Sequence, residues 1–375
     1  MCAPVMIGGC GSSGTTLVSH LMNASLSIHC GPELHLLDKR HFYLVPFRYS
    51  AHEFSKFLDR GVPTVGVLGH DLLASSTCIS LNKSYAFVRN PENYCLTKEK
   101  VCDLAVSSRT FREFVDRLFR PALANSGKSR WAEKTPTNCY CIDEFLSLYS
   151  GGKYVHVVRD GRDVVASLMK RGLSAMEAVR RWIHDTASGL PHRARDRYHE
   201  IRYEDLVADP VGRLGHLLDF LGATDDPEDV IMRAQTQPVL ENTHGTWTKQ
   251  PNENITPACV GKWRRATGFG NRQHVERLFR YVVLSREVSE ALALPKTYNG
   301  NEVLQEFGYD PSDHWNPSPG YGLGWIKRYL TEKICELLRS HPLYCTMSLW
   351  QPTRSCCLCV RAAAPPRLRT SSSEV

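Results

Sequence analysis

The sequence predicts an α/β protein of three layers, in which a central, mainly parallel sheet is covered by helices on both faces. The short apolar run at residues 4–7 and the β-branched run at residues 153–158 are typical of buried strands, and a third strand is predicted at residues 200–207. Residues 110–124 and 211–221 carry apolar side chains at helical spacing. Strands that alternate with helices in this way form parallel sheets, because each crossover helix packs back onto a face of the sheet.

Composition and charge are those of an ordinary globular chain. Of the 375 residues, 42% are hydrophobic and 23% are charged, which predicts one large domain, with or without insertions. The net charge of +7 is compatible with an anionic cofactor or an acidic acceptor, but it is too small and too dispersed to indicate nucleic acid. The 14 cysteines form no pair of clusters at zinc-site spacing, so we expect no metal site.

Changes in composition mark boundaries along the chain. Residues 41–104 alternate between aromatic and polar types without phosphate or metal chemistry, and we interpret them as an insertion or lid. The turn-rich residues 308–322 mark the end of the main domain, which we assign to residues 1–322. An amphipathic helix is predicted within residues 323–350, and residues 351–375 lack periodicity, which predicts a disordered tail.

The sequence contains no apolar run long enough to span a membrane. Its first apolar run has no positively charged region before it and leads directly into a glycine-rich loop, which favours a strand over a signal peptide. We therefore expect a cytoplasmic protein, unless an upstream leader is missing.

The glycine-rich loop spans residues 8–16 and lies between the first predicted strand and a predicted helix. Counted from Gly9, it reads G-x-x-x-x-G-T-T, a phosphate-binding loop whose usual lysine is replaced by Thr15. Backbone N–H groups and a helix N-terminus in this context bind phosphate. Because nucleoside triphosphatases need the lysine to hold the β- and γ-phosphates, the loop suits a nucleotide with one 5′ phosphate. A tight Gly/Ser turn without a ligand is the alternative.

A second anion-binding corner is predicted where another strand ends. Arg159 follows the run at residues 153–158, and Ser167 and Arg171 lie four residues apart on one face of the next helix. Guanidinium and hydroxyl groups of this kind bind oxyanions. The alternative is a surface salt-bridge cluster formed by Arg159, Asp160, Arg162 and Asp163.

Three further charged residues are candidates for the same site. Glu33 lies one βα unit after the glycine loop, where parallel strands open into a ligand crevice, and it is either a general base or an exposed first-turn glutamate. Lys134 ends a short strand and is either a charge stabiliser or part of a surface turn. Lys262 follows a long irregular segment that either folds over a nucleotide or is a solvated loop.

Taken together and in this order, the motifs resemble those of sulfotransferases, and most closely the tyrosylprotein sulfotransferase-like branch. That branch's motifs R-S-G-T-T, C-G-E-E-T-R, K-D-P and V-R-D-G-R are similar to residues 12–16, 30–35, 134–136 and 158–162. Its Y-E-x-L-V, K-W and G-Y-D-P elements are similar to residues 203–207, 262–263 and 308–311. The resemblance covers residues 4–322 and implies a P-loop-containing nucleotide-hydrolase-like version of the three-layer fold.

The resemblance implies a metal-free, in-line transfer of sulfonate from 3′-phosphoadenosine 5′-phosphosulfate (PAPS) to an acceptor hydroxyl, leaving adenosine 3′,5′-bisphosphate (PAP). It implies that Glu33 is the general base and that Lys134 neutralises charge on the leaving phosphate. The implied cofactor contacts are Ser13, Gly14, Thr15, Thr16 and Lys262 at the phosphosulfate, Arg159, Ser167 and Arg171 at the 3′-phosphate, and Tyr203 and Thr248 elsewhere. His35 and Lys39 stand where the branch has arginines that contact an acidic acceptor peptide.

This chain departs from the branch at several positions. Ser12 replaces the arginine before S-G-T-T, so Lys134, Lys262 or another basic residue must supply the lost charge. The weaker positive lining leaves the acceptor open among protein tyrosine, carbohydrate and small molecules. Cys30 lacks its disulfide partner because Ala132 stands at the other cysteine's position. That argues against a secretory-pathway enzyme, and the Golgi lumen stays open only if an N-terminal leader is missing.

Two other functions remain open at this point. A phosphotransferase with a degenerate P-loop would use a Mg²⁺-bound nucleotide with a γ-phosphate, and the missing lysine speaks against it. A catalytically silent nucleotide-binding protein is suggested by the loss of positive charge at Ser12.

Overall fold

The structure is a computed structural model of the chain, and it describes residues 2–34, 91–237, 255–264 and 272–312. Contacts between Cα atoms divide the chain into two compact units, Met1–Asn316 and Pro317–Val375, and every described residue belongs to the first. The predicted helix within residues 323–350 and the predicted tail at 351–375 therefore lie outside the described residues. Of the predicted insertion at 41–104, the structure describes residues 91–104.

Within the described residues, five strands form one sheet in the order β2-β3-β1-β4-β5. The strands are β1 (Val5–Gly9), β2 (Ile28–Cys30), β3 (Arg130–Lys134), β4 (Lys153–Val158) and β5 (Tyr198–Arg202). Each pairing between neighbouring strands is parallel. The central strand β1 is buried along its whole length, as a parallel strand covered on both faces must be. The predicted mainly parallel sheet is confirmed.

Helices connect these strands and extend beyond them. In chain order they are α1 (Thr15–Ala24), α2 (Lys98–Ser107), α3 (Phe111–Ser126), α4 (Ile142–Leu148), α5 (Gly161–Lys170), α6 (Ala175–Ala187), α7 (Tyr203–Ala208), α8 (Pro210–Leu221), α9 (Pro227–Thr236), α10 (Arg272–Tyr281), α11 (Arg286–Ala291) and α12 (Gly300–Glu306). The helices predicted at residues 110–124 and 211–221 are confirmed as α3 and α8. In the described parts of the chain, no helix has the length and apolar character needed to cross a membrane.

The hydrophobic core has one part on each face of the sheet. Met6 of β1 packs with Trp131 and Phe119, whose rings are stacked with centroids 4.4 Å apart. Val5 and Ile7 point the other way and pack against residues of α1, α8 and α9. This alternation follows from strand geometry, in which successive side chains point to opposite faces. Both faces of the sheet are therefore covered, as a three-layer α/β fold requires.

The predicted strand at residues 200–207 is wrong beyond Arg202. Strand β5 ends there, and α7 begins at Tyr203 with Glu204 and Asp205 in its first turn. Acidic side chains are favourable at a helix N-terminus, and Glu204 also accepts hydrogen bonds from the backbone N–H of Asp160 and from a tyrosine hydroxyl. The strand propensity of residues 203–207 is thus outweighed by contacts that form only in the folded chain. As a result, Tyr203 faces the glycine loop instead of extending the sheet.

Candidate active site

The glycine loop turns sharply between β1 and α1 at the carboxyl edge of the sheet. Gly9, Ser12 and Gly14 have φ angles of +140°, +76° and +96°, which lie in the region that favours glycine. A Cβ atom on Gly14 would lie 2.5 Å from the ring of Tyr203, so only glycine fits at this position. The close approach of Tyr203 to the loop therefore depends on Gly14.

The loop presents a buried hydroxyl and the N-terminus of a ten-residue helix. Ser13 is fully buried, and its Oγ has no hydrogen-bond partner among the described residues. Leaving a buried hydroxyl without a partner costs roughly 1–3 kcal/mol, a cost that a bound oxyanion would remove. Thr15 is buried and Thr16 is exposed at the start of α1. These features fit an oxyanion site.

The two predicted catalytic residues are in direct contact beside the loop. Lys134 Nζ donates a hydrogen bond to Glu33 Oε1 at 2.6 Å and a longer one to Thr16 Oγ1 at 3.4 Å. The Lys134 side chain is 2% exposed and that of Glu33 is 20% exposed. Lys134 ends β3 next to β1, and Glu33 follows β2 on the other side of β3, so the strand order brings them together. A surface turn at Lys134 is thereby excluded.

Glu133 is a residue of this site that the sequence analysis missed. Its side chain is 1% exposed, and its Oε1 accepts hydrogen bonds from the Leu34 backbone N–H at 3.0 Å and from Thr135 Oγ1 at 2.6 Å. Its Oε2 accepts a hydrogen bond from Asn138 Nδ2. Glu133 thus holds the backbone that follows Glu33. The available signal was a glutamate directly after the apolar residues Trp131 and Ala132 of a short strand, since a buried carboxylate must be paired.

The second predicted anion corner lies against the glycine loop. Arg159 donates from Nη1 to the Ser12 carbonyl oxygen at 3.1 Å and from Nη2 to the Cys259 carbonyl oxygen at 2.6 Å. Its guanidinium carbon lies 4.4 Å from the centre of the Tyr203 ring, and its Nε is buried with no partner in the described residues. Ser167 Oγ lies 3.2 Å from Ser12 Oγ. Ser12 therefore joins the loop to this corner.

The alternative salt-bridge cluster does form at this corner, but it is not on the surface: Arg159 Nη2 lies 3.6 Å from Asp163 Oδ2, and these side chains are 12% and 1% exposed. Arg162 is 2% exposed, pairs with Asp160 at 2.8 Å and lies over the ring of Trp263 at 4.7 Å. Asp163 is also buried and accepts hydrogen bonds from the backbone N–H groups of Gly261 and Trp263 at 2.8 and 2.9 Å. These contacts hold the segment that carries Gly261 and Trp263 against α5.

That segment places Lys262 near the anion corner. Lys262 is exposed, and its Nζ donates to the Cys259 thiol sulfur at 2.9 Å. Partial burial raises the pKa of the Cys259 thiol, but the hydrogen bond and charge of Lys262 outweigh it and hold that pKa below its ordinary value. Burial raises the pKa of the nearby Tyr203 to about 12, so its phenol stays protonated at neutral pH.

The remaining predicted residues are placed as follows. Arg171 is exposed at the end of α5, where partial burial and then the charge of Arg181 lower its pKa to about 10. The structure does not describe His35, Lys39 and Thr248. Across the described ranges, no group of three or more His, Cys, Asp or Glu side chains is arranged to hold a metal ion.

Cys30 is a free, buried thiol in the structure. Its partner in the register between β2 and β3 is Ala132. Burial raises the pKa of Cys30 to about 12, so the thiol is unreactive at neutral pH. The absence of a cysteine at position 132 therefore leaves this part of the sheet without a covalent link between β2 and β3.

Comparison with known proteins identifies the family. A family model described as the sulfotransferase family matches residues 4–227, more than half of the chain. Over 252 residues the chain is 26% identical to omega-hydroxy-beta-dihydromenaquinone-9 sulfotransferases of Mycobacterium bovis and Mycobacterium tuberculosis; the match covers 59% of this chain and 63% of those proteins. The chain thus spans less than two thirds of the length of these curated relatives.

Solved structures of low sequence identity are also similar. The sulfotransferase domain of the Synechococcus PCC 7002 olefin synthase is 20% identical, with a TM-score of 0.49 over 83% of this chain and 97% of that domain. The sulfotransferase domain from the curacin biosynthetic pathway is 18% identical, with a TM-score of 0.47 over 83% of this chain and 99% of that domain. The extent of the family-model match decides the assignment: the chain belongs to the sulfotransferase family of transferase enzymes.

Proposed function

We propose that this enzyme transfers the sulfonate group of PAPS to the hydroxyl group of an acceptor. The observation that carries the proposal is the contact of Lys134 Nζ with Glu33 Oε1 at 2.6 Å and with Thr16 Oγ1 at 3.4 Å. A carboxylate and an ammonium group thus meet at the start of the helix that follows a phosphate loop. Sulfonate transfer to a hydroxyl needs a base for the hydroxyl proton and a cation for the leaving oxygen.

The residues present fit the cofactor. When bound, PAPS supplies an activated sulfonate group. The buried and unpartnered Ser13 Oγ and Arg159 Nε are two donors that oxyanions of the cofactor would satisfy. The residues that would hold the 5′-phosphosulfate are Ser13, Gly14, Thr15, Thr16 and Lys262. Those that would hold the 3′-phosphate are Arg159, Ser167 and Arg171, with Tyr203 and Thr248 completing the nucleotide site.

The catalytic roles follow from the ion pair. Glu33 Oε1 accepts the proton of the acceptor hydroxyl as that oxygen attacks, and the proton stays on the carboxyl group. Lys134 Nζ would donate a hydrogen bond to the phosphate oxygen of PAPS that loses its bond to sulfur, and its positive charge would stabilise the negative charge left on that oxygen. Because Lys134 is nearly fully buried, water does not weaken this interaction as it would at the surface. Glu133 positions both groups, because it is adjacent to Lys134 and binds the backbone after Glu33.

For the acceptor, we propose a hydroxylated small molecule ahead of protein tyrosine or carbohydrate. The curated relatives are named for an omega-hydroxylated menaquinone, which is a small molecule with a hydroxyl group. His35 and Lys39, which replace two arginines of the tyrosylprotein branch, support the same choice because they weaken the positive lining that an acidic peptide needs.

Calorimetry on the full chain tests the cofactor. We expect PAP to bind at least about tenfold more tightly than 5′-AMP, a difference of about 1.4 kcal/mol, because the 3′-phosphate has its own site. ATP with Mg²⁺ is expected to bind more weakly than PAP. Tighter binding of ATP with Mg²⁺ than of PAP would favour the phosphotransferase alternative instead.

Turnover separates an active enzyme from a silent nucleotide-binding protein. The full chain is incubated with radiolabelled PAPS and a panel of hydroxylated lipids, phenols, sugars and tyrosine peptides. We expect label to appear in a hydroxylated small molecule. PAP binding without transfer to any acceptor would support the silent protein, and transfer to tyrosine peptides alone would contradict the proposed acceptor class.

A further inference from the structure

Arg181 of α6 lies directly against the glycine loop, although it is 170 residues away in sequence from Gly11. A Cβ atom on Gly11 would lie 3.3 Å from Nη2 of Arg181 and 3.7 Å from its Cζ. The Arg181 side chain is 12% exposed. The loop itself, residues 8–16, contains no basic residue. A guanidinium group from another helix therefore stands beside a phosphate loop that lacks its own cation.

Asp185, one turn further along α6, orients this guanidinium. Arg181 Nε lies 3.3 Å from Asp185 Oδ2, and Asp185 is fully buried. The other carboxylate oxygen of Asp185 accepts a hydrogen bond from Tyr140. Because Nε is held by the carboxylate, the planar guanidinium has a defined orientation, with Nη2 on the side of the loop. The arginine is thus positioned before any ligand binds.

One further observation indicates that an anion belongs here. The Ser13 hydroxyl, two residues after Gly11, is fully buried and has no partner among the described residues. An oxygen of a bound phosphate or sulfate group would accept a hydrogen bond from this hydroxyl and remove the cost of leaving it unpaired.

We propose that Arg181 is the cation of this phosphate loop: it binds the 5′-phosphosulfate end of the nucleotide and stabilises its negative charge, and Asp185 is its positioning residue. This inference rests on the proposed function. It explains how a loop with Thr15 at the lysine position and Ser12 at the preceding turn retains a positive charge at its phosphate end.

Nucleotide binding to the Arg181→Gln variant of the full chain tests the inference without relying on activity. We expect PAP and 5′-AMP, which both carry a 5′-phosphate, to bind about tenfold more weakly, whereas 3′-AMP binds as it does to the wild type. Arg180→Gln is the matched control, because the preceding residue of α6 is turned by about 100° around the helix. This control is expected to leave all three affinities unchanged.

Two more variants distinguish binding from a purely structural role. Arg181→Lys keeps the positive charge but loses the planar guanidinium group, which can donate two parallel hydrogen bonds. We expect a smaller loss of affinity, again confined to the ligands with a 5′-phosphate. The double variant Ser12→Arg/Arg181→Gln returns a guanidinium to the loop, and we expect it to recover most of the 5′-AMP affinity. Turnover of PAPS by Arg181→Gln is expected to fall by about 100-fold or more, since charge grows during transfer.

The outcomes that overturn the inference are distinct from those that overturn the function. An equal loss of affinity for 3′-AMP and 5′-AMP, in both Arg181→Gln and Arg181→Lys, would show a structural role only. Unchanged 5′-AMP affinity in the two variants would also exclude Arg181 as the loop cation. If the wild-type chain itself binds no PAP, the proposed function fails, and this inference fails with it.

Discussion

Lys134 Nζ lies 2.6 Å from Glu33 Oε1, so the two proposed catalytic groups form an ion pair at the ends of adjacent strands. The lysine is buried, and a buried ammonium group without a partner is strongly destabilising. In the free enzyme, Glu33 therefore neutralises Lys134. In the proposed mechanism, an oxygen of the leaving phosphate would replace Glu33 as the acceptor of Lys134, and the carboxylate would become available to the acceptor hydroxyl. The proposed roles thus link cofactor binding to activation of the base.

The Glu33→Gln variant is expected to lose turnover by about 10²- to 10⁴-fold, the usual contribution of a general base. PAP affinity is expected to stay within about twofold of wild type, because the amide still accepts the hydrogen bond from Lys134. Turnover of PAPS and calorimetry with PAP measure the two effects. Glu228→Gln, an exposed change in α9, is the control. If Glu33→Gln loses PAP binding in proportion to its turnover, Glu33 is not the base.

The Arg159→Ala variant is expected to weaken PAP by about 10- to 100-fold and 5′-AMP much less, because charged hydrogen bonds contribute about 1.5–3 kcal/mol each. The physical reason is the position of Arg159 over the Tyr203 ring, with a buried Nε that a 3′-phosphate would satisfy. Calorimetry with both nucleotides measures the ratio. Arg213→Ala, an exposed change in α8, is the control. Equal weakening of both nucleotides would contradict a 3′-phosphate role for Arg159.

The Gly14→Ala variant is expected to lose PAP affinity by more than about tenfold, whereas Gly172→Ala keeps it. The two glycines have almost the same φ, +96° and +98°, so both variants carry a similar backbone strain of about 1–2 kcal/mol. Only at Gly14 does the new Cβ meet another residue, the ring of Tyr203 at 2.5 Å; at Gly172 no atom of the described residues lies within 4 Å.

Denaturant unfolding and calorimetry with PAP separate strain from displacement of Tyr203. We expect both glycine variants to lose a similar amount of unfolding free energy from strain, with an added loss for Gly14→Ala. Equal PAP affinity in Gly14→Ala and Gly172→Ala would show that the position of Tyr203 against the loop does not matter for binding.

Stability is expected to fall in mild acid because of His156, which is fully buried in β4. Burial, followed by the charges of His192 and Arg193, lowers the pKa of His156 from 6.5 to about 3. Below pH 6.5 the unfolded chain binds a proton that the folded chain does not bind, so the free energy of unfolding decreases as the pH falls towards 3. At pH 5 this one group removes about 2 kcal/mol relative to pH 7.

Denaturant titrations at pH 5 and pH 7 measure this effect. His156→Asn removes the titrating group, so the variant should be less stable at pH 7 but should lose about 2 kcal/mol less than wild type between pH 7 and pH 5. The same loss in the wild type and in His156→Asn would show that His156 is not responsible for acid sensitivity.

Local sequence patterns sufficed to predict the three-layer fold with a parallel sheet and the strand–loop–helix unit around Thr15. Apolar periodicity depends on neighbours in the chain, and glycine-rich turns depend on backbone sterics, so both are visible in the sequence itself. An anion-binding corner with Arg159 and Ser167 after the end of β4 was also predicted, whereas their contacts with Ser12 of the loop are seen only in the structure. Their roles in binding stay predictions.

Only the tertiary structure decided the contacts that cross long stretches of the chain. The end of β5 at Arg202 depends on hydrogen bonds that Glu204 makes with distant residues, and no local pattern contains them. Glu133 binds the backbone at Leu34, and Arg181 meets the loop at Gly11, because the strand order and the packing of α6 bring these segments together. The energetic cost of a buried charge depends on the partners that surround it in space, and the sequence alone does not specify those partners.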